Sequence, residues 1–451
     1  MQNHEFTECR ETVSFKDRIV RNALMLKLAS VALLVALFLI PLTMVRDQIA
    51  QRDMYQEQAK AEIAKAASGA QTLTGPILAI RYRMKAPVFR DMSTGEIVNR
   101  PAQQMEEQIA FVPARTLEIN GNADVEQRYR GIYRARLFHL DLNIKGAFSL
   151  PANLVPGVGE KDEIAEAHAV MLFSVSDSHG MDANPDVLID QSQMRFEASK
   201  GKRFGNTLPG NQLEIDLGEL TPGKERNIDF SFPLKLSGTE TMSIAPTAEN
   251  NIVQLQSNWG HPSFHGRFLP RTRQIERDGF NAKWEISQLA RDMGRTLQLG
   301  GEEILGVDFM EPVDVYQQSD RAVKYGLLFI VLTFAAFFLS EILRRRPMHI
   351  MQYLLVGLAL TIFFLLLVAL SEQLLFHVAY IAAAAACICL IAFYLAGVFG
   401  SWRPAFAFGS GLAGLYAMLY VILQLEDKAL LMGSLLLFAV LAALMASTRR
   451  L

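Results

Sequence analysis

Residues 323–451 carry only 8 Lys or Arg and 4 Asp or Glu, set between long uncharged runs. A hydrocarbon core of ~30 Å needs about 20 apolar residues as a helix, because lipid offers no water to free backbone groups. Five runs here reach that length, at 325–343, 348–370, 374–398, 404–425 and 429–446, and a sixth lies at 23–45. The run at 23–45 holds one charge, Lys27, and ends in Pro41-Leu42-Thr43-Met44-Val45 without a small-residue cleavage site. It is longer than the core of a cleaved export signal and is predicted to be an uncleaved signal anchor. The run at 429–446 is the shortest and needs little tilt.

Lys and Arg resist translocation, so their placement orients the set. Arg10, Lys16, Arg18 and Arg21 precede the first run; Arg344, Arg345 and Arg346 follow the second, Arg403 the fourth, Arg449 and Arg450 the sixth. The alternate short loops hold Glu372 in one, and Glu426, Asp427 and Lys428 in the other. Both termini are therefore expected in the cytoplasm of a bacterium, with residues 46–322 in the periplasm. The predicted fold class is an α-helical membrane protein of six transmembrane helices with a large β-rich, sandwich-like periplasmic domain. Its segments are a cytoplasmic 1–22, a first span 23–45, the exported 46–322, a five-helix bundle 323–446 and a cytoplasmic tail 447–451.

Residues 46–322 hold 31 Lys or Arg and 38 Asp or Glu, a balance that argues against a nucleic-acid partner. The cysteines are Cys9, Cys387 and Cys389, so the exported segment is expected to fold without disulfides. Cys387 and Cys389 read as small packing residues, and no cofactor or metal is expected. Residues 46–67 are good helix formers and should continue the first helix outward, with Ser68-Gly69 ending it and Gly69 suited to a left-handed cap. Alternation then takes over at 213–217 and 228–236, the period of half-buried antiparallel strands. Pro233, without an N–H, points its strand toward a sheet edge. At 133–148 the apolar parity switches near Leu137-Phe138, which predicts a β-bulge. Further strands are expected at 77–83, 109–112, 117–120, 169–175, 252–256 and 282–286, with turns at Asn120-Gly121, Ser237-Gly238 and Asp278-Gly279 and loops at 151–163 and 177–190.

The densest candidate chemistry is residues 257–270, SNWGHPSFHGRFLP. Trp259, His261, Phe264, His265 and Arg267 form the candidate binding surface. The leading reading is an ordered loop whose Trp259, Phe264 and Phe268 pack on the sheet. His261 and His265 would share a metal only on a helix, which Gly260, Pro262 and Gly266 disfavour. Ser263 with a neighbouring histidine lacks an orienting carboxylate in sequence. In the membrane part, Glu341 is the polar candidate, and Arg344 and Arg345 three and four residues on suggest an interfacial ion pair. Gly409, Gly411 and Gly414 and the alanines at 382–386 permit close helix packing.

Residues 316–343 (YQQSDRAVKYGLLFIVLTFAAFFLSEIL) and 351–372 (MQYLLVGLALTIFFLLLVALSE) closely resemble the CreD family of bacterial inner-membrane proteins. Residues 68–80 (SGAQTLTGPILAI), 130–148 (RGIYRARLFHLDLNIKGAF) and 257–270 resemble that family's periplasmic motifs in the same order. Ile350 departs from the pattern, where proline is expected after His349. The resemblance implies a cell-envelope integrity protein tied to colicin tolerance and stress response, with no catalytic residues to carry over. The expected role is non-enzymatic: binding through the periplasmic domain, with the lipid bilayer and periplasmic or envelope proteins as partners. The small-molecule ligand is left open. The competing expectation is a transporter of a small solute or lipid using Glu341, Tyr353 and the glycine-rich fifth span.

Overall fold

The computed structural model describes residues 3–85, 88–90, 97–99, 107–155, 164–199, 208–223, 225–290, 303–310, 314–344, 348–424 and 429–448. The chain divides into two compact units, Met1–Tyr55 with Val313–Leu451, and Gln56–Pro312.

The first unit is helical. Its elements are α1 (Asn3–Ala66, continuing beyond this unit), α2 (Val315–Lys324), α3 (Gly326–Arg344), α4 (Ile350–Ser371), α5 (Phe376–Phe399), α6 (Trp402–Gln424) and α7 (Ala429–Thr448). Among the described residues, α1, α4, α5 and α6 are each long and apolar enough to cross a membrane. α2 and α3 make a fifth candidate only as a pair bent by 41° at Tyr325. Of the six expected spans, four helices and one bent pair meet this test among the described residues, and α7 is a charge-free helix of 20 residues. The bend has a local cause: α2 is a separate amphipathic helix, capped by Asp314, that buries Tyr316, Ser319, Ala322 and Val323.

α1 is packed against its neighbours along one stripe. Phe38, Leu42, Val45 and Ile49 are buried, at the spacing that lines one face of a helix. Two glycines receive this stripe. A Cβ on Gly357 would lie 2.3 Å from the Phe38 ring, and one on Gly326 would lie 2.9 Å from Leu42. The glycines expected to mediate close packing do not: a Cβ on Gly409 would make only ordinary contact with Ala392, and Gly411 and Gly414 face open space. Sequence shows which residues are small but not which side of a helix its partner occupies.

The second unit is a pair of packed sheets. One runs in the order Glu197–Ala198, Asn211–Glu219, Ile164–Val175, Gln71–Met84, Thr241–Ala245, Leu305–Phe309, Pro262–Gly266, with Gln108–Pro113 also on Gln71–Met84. The other runs Thr272–Glu276, Gly279–Ser287, Asn250–Ser257, Thr116–Arg130, Tyr133–Leu150, Arg226–Thr239, Asp186–Ile189, Ser192–Arg195. One core joins them, filled by Phe138, Phe148, Phe173, Phe196, Phe232, Trp284 and Phe309. The sheets are mixed: Gln71–Met84 pairs parallel with Thr241–Ala245, and Asn250–Ser257 parallel with Thr116–Arg130.

Several local expectations change. No register shift interrupts Tyr133–Leu150 against either neighbour, so the bulge is absent. Ala135, Arg136, Leu137 and Phe138 are all buried instead, so the strand is covered on both faces where its parity switches. Asn120-Gly121 is not a turn. It lies inside Thr116–Arg130, where a Cβ on Gly121 would sit 2.1 Å from Leu142. The turn expected at Ser237-Gly238 is made by Glu240 at φ 65°, and the turn at Asp278-Gly279 joins two paired strands as expected. Pro233 is not in an edge strand. Its strand pairs fully with Tyr133–Leu150 on one side, but with Asp186–Ile189 only at Phe230 and Ser231 on the other. The stretch 177–190 holds a short 3-10 turn and a strand, and part of 151–163 lies outside the described residues.

The motif at 68–80 stops α1 and starts the sheet. Gly69 has no positive φ, so the left-handed cap is absent. Side chains do the work. The fully buried Gln71 donates to Ser68 Oγ at 2.6 Å, Asp177 O at 2.9 Å and Ser237 O at 3.0 Å. Asp177 accepts from Gly69 N and Ser68 Oγ, each at 3.2 Å. Burial pushes the Asp177 carboxyl up, but hydrogen bonds from His179, Gly69 and Ser68 outweigh it and hold the group below its usual range.

Candidate functional site

The segment 257–270 is a strand with flanking turns rather than a loop: Pro262–Gly266 pairs with Leu305–Phe309 at the sheet edge. Phe264 faces the core, with its ring 5.6 Å from Phe280 and 5.7 Å from Trp284. Trp259 and Phe268 also pack on the core. Trp259 donates from Nε1 to His261 O at 3.2 Å and Met310 O at 3.1 Å, and the Arg136 guanidinium lies 6.0 Å from its ring. Arg267 pairs with Glu303 at 2.7 Å, and His261 is exposed. Trp259 and His261 come together, with ring centroids 6.4 Å apart, whereas Phe264 packs inward and Arg267 turns to Glu303. His261 lies just outside the strand and His265 within it, so they lack the shared helical face a metal pair needs.

His265 has partners that sequence reasoning missed. Its Nε2 lies 3.1 Å from Ser243 Oγ and its Nδ1 3.2 Å from Asp308 Oδ2, while Thr241 Oγ1 donates to Asp308 Oδ1 at 2.7 Å. Ser243, Gly306 and His265 are level on three adjacent strands, on the face away from the core. Gly306 makes room: a Cβ there would sit 2.4 Å from His265 Nε2. Ser263 is not the partner. The hydroxyl–imidazole–carboxylate order is that of a nucleophile with its base, but Ser243 is only 3% exposed, and its hydroxyl is enclosed. Ser243 and His265 are hydrogen-bonded across the sheet edge, while His265 Nδ1 faces Asp308 without a hydrogen bond. The signal that would have found this arrangement is the parity of three short strands, which cannot be aligned from sequence alone.

The second sheet carries a different arrangement on its outer face. Gln274, Asn281, Gln256 and Asn122 are directly opposite one another on four adjacent strands, with Asp141 next in the row. Neighbouring strands lie ~4.8 Å apart, so the row presents a carboxamide at each step. These four residues, with Asn258, Glu276 and Asp278, line a cavity of about 460 Å³. Among the described residues the four make no hydrogen bond to another side chain. Asn258 is committed to structure: its side chain donates to Asp124 at 2.5 Å and accepts from Val125 N at 2.8 Å. One step along the strands, Asn120 donates to Glu118 at 3.0 Å and Lys145 pairs with Glu118 at 3.1 Å. Those contacts hold the Glu118 carboxyl below its usual range. Each free carboxamide offers two N–H donors and one acceptor oxygen without a charge.

In the helical unit, Glu341 is paired with Lys27 of α1, and the side chains of the expected partners Arg344 and Arg345 lie outside the described residues. Lys27 also donates to Met348 O at 2.8 Å, and Tyr353 OH to Glu341 at 3.4 Å. A second set lies toward the other end of α1, where Arg46 pairs with Asp320 at 3.1 Å and Arg52 with Glu372 at 3.4 Å. Between them, Phe334, Phe337 and Tyr353 stack at 5.4–5.6 Å, and Phe363 lies 4.5 Å from Tyr416.

The family model described as inner membrane protein CreD matches residues 23–451. The chain belongs to the CreD family. It is 33% identical to the inner membrane protein CreD of Escherichia coli (strain K12) over 439 residues, 96% of this chain and 94% of that protein. Among solved structures it is similar to a candidate nutrient-binding protein of Legionella pneumophila (TM-score 0.27, 8% identity, 49% of this chain and 77% of that one). It is also similar to an M1 zinc metallopeptidase of Deinococcus radiodurans (TM-score 0.20, 7% identity, 44% and 41%). Likeness at that level carries no argument. As a CreD-family chain with several membrane-length helices, this is a multi-pass inner-membrane protein with a large β unit.

Proposed function

We propose that this CreD-family protein supports cell-envelope integrity and stress tolerance by non-catalytic binding through its β unit. That unit is held at the periplasmic face by six crossings, with both termini in the cytoplasm. The observation that carries the reading is the row of uncommitted carboxamides lining one cavity on the β unit. The helical unit supports it from the other side. Its interior is occupied by aromatic rings in contact, and the acid on α3, the partly buried Glu341, is already paired to Lys27. A transport path needs polar groups facing a route for solute. The basic-residue distribution supports the orientation.

Two experiments test this. Reporter fusions at Asn184, Arg346 and Arg450 should be periplasm-active only at Asn184. In a deletion strain, Lys27→Met with Glu341→Gln removes both charges together and should leave stress resistance intact. Loss of resistance at wild-type abundance would favour an intramembrane charge mechanism and sink the proposal.

A further inference from the structure

We infer that the outer face of the second sheet is a glycan-binding site, and that its ligand is an extended chain of N-acetylated amino sugars. This rests on the binding role proposed above and names its ligand class. Three observations converge. The first is register: Gln274, Asn281, Gln256 and Asn122 stand level on four strands, giving neutral hydrogen-bonding groups at the ~4.8 Å interval of the sheet. The second is shape: the same four line an open, polar recess of about 460 Å³. The third is the rim, where Glu276 and Asp278 on the hairpin between Thr272–Glu276 and Gly279–Ser287 provide carboxylate acceptors.

The ligand class follows from this chemistry. A sugar hydroxyl both donates and accepts, and a carboxamide meets both needs from one planar group. Carboxylates on the rim accept from further hydroxyls with the strength of charge-assisted bonds. An acetamido group is itself an amide, so it pairs reciprocally with Asn or Gln, donor to acceptor on both sides. Four carboxamides in a line suit a ligand that repeats, and an extended glycan repeats along its length.

Full-length protein in lipid nanodiscs, titrated by calorimetry with chitotetraose and separately with maltotetraose, tests the inference. Chitotetraose should bind, and maltotetraose more weakly. Gln256→Ala with Asn281→Ala should weaken chitotetraose binding by roughly tenfold or more, since two hydrogen-bonding groups are lost. Glu197→Ala, on the far edge of the other sheet, should leave it unchanged. Thermal melts of all variants identify any that fail to fold. Should Gln256→Ala with Asn281→Ala not fold, Gln274→Ala, exposed on the row, must show the loss instead. No chitotetraose binding, equal binding of both sugars, or binding unaffected by the row variants overturns the inference. The envelope role is scored separately, by stress resistance in cells. Lost sugar binding with intact resistance keeps the glycan site and removes the envelope role. Lost resistance in a variant of a protein that never bound the sugar does the reverse.

Discussion

The two units use polar residues in opposite ways. In the helical unit most polar side chains are consumed by the fold: Thr333 and Thr361 bond the carbonyls of Phe329 and Gly357 on their own helices and Glu341 is paired with Lys27, while Gln318 Oε1 and Gln352 Oε1 are buried without a hydrogen bond among the described residues. In the β unit the inner face is equally closed, but the outer face of the second sheet leaves a row of carboxamides uncommitted around a cavity. Water makes such a face inexpensive, whereas hydrocarbon penalises a polar group without a partner. Among the described residues, the carboxamide row is the exposed set of groups without an internal partner, and it lies in the β unit.

The largest effect that could blur this contrast is loss of the β core itself. Trp284 is 1% exposed and donates to Phe268 O. Trp284→Ala should destabilise the β unit by ~3–5 kcal/mol, seen as reduced abundance and an earlier melt. Trp259→Ala removes a half-buried ring and should cost less. A Trp259→Ala protein that melts normally yet loses function would make that residue part of the binding surface.

The helical counterpart is the Lys27–Glu341 pair, whose side chains are 21% and 14% exposed. Glu341→Gln alone leaves an amine in an apolar setting and should cost ~3 kcal/mol, with much of it recovered by adding Lys27→Met. Detergent-resistant folding of the two variants checks this. Equal loss in the single and double variants would mean that the charges act on something other than each other.

Glycines give a finer comparison. Gly357→Val must displace the Phe38 ring and should cost ~1–3 kcal/mol, while Gly411→Ala has open space and should be neutral or stabilising by up to ~1 kcal/mol. Chemical-denaturation midpoints of the two proteins report the contrast, and equal effects would mean α1 is not seated as described.

The smallest effect is pH-dependent. Asp177 has a depressed folded-state pKa, so its contribution is complete above the unfolded value of about 4 and is lost as pH falls through the folded one. Asp177→Asn should lower the β-unit melting temperature at neutral pH, and its gap from wild type should close progressively in acid. A gap that stays constant from neutral pH to strong acid would assign the effect to shape rather than charge.

Sequence carried some of this and not the rest, for physical reasons. The membrane-length runs were legible because lipid imposes length and removes charge. The strands at 213–217 and 228–236 were legible because one dry face imposes alternation. Leu137 and Phe138 misled because burial on both faces breaks alternation just as a bulge does. Gly121 misled because a glycine opposite Leu142 looks, in sequence, like a glycine in a turn. At the candidate site, the inward packing of Trp259, Phe264 and Phe268 was legible from their apolarity. The carboxamide row was not, since residues 122, 256, 274 and 281 become neighbours only through register, including a parallel pairing.

The central claim is that the carboxamide row faces the envelope and is occupied there. Thiol labelling tests it most directly, with Gln256→Cys and Glu197→Cys in full-length protein and a membrane-impermeant maleimide. The account predicts that both positions label in spheroplasts stripped of the envelope glycan. In cells whose outer membrane is opened but whose glycan remains, Glu197→Cys should still label and Gln256→Cys should be protected. Equal labelling of Gln256→Cys with and without the glycan would contradict occupancy, and no labelling of either position in spheroplasts would contradict the orientation.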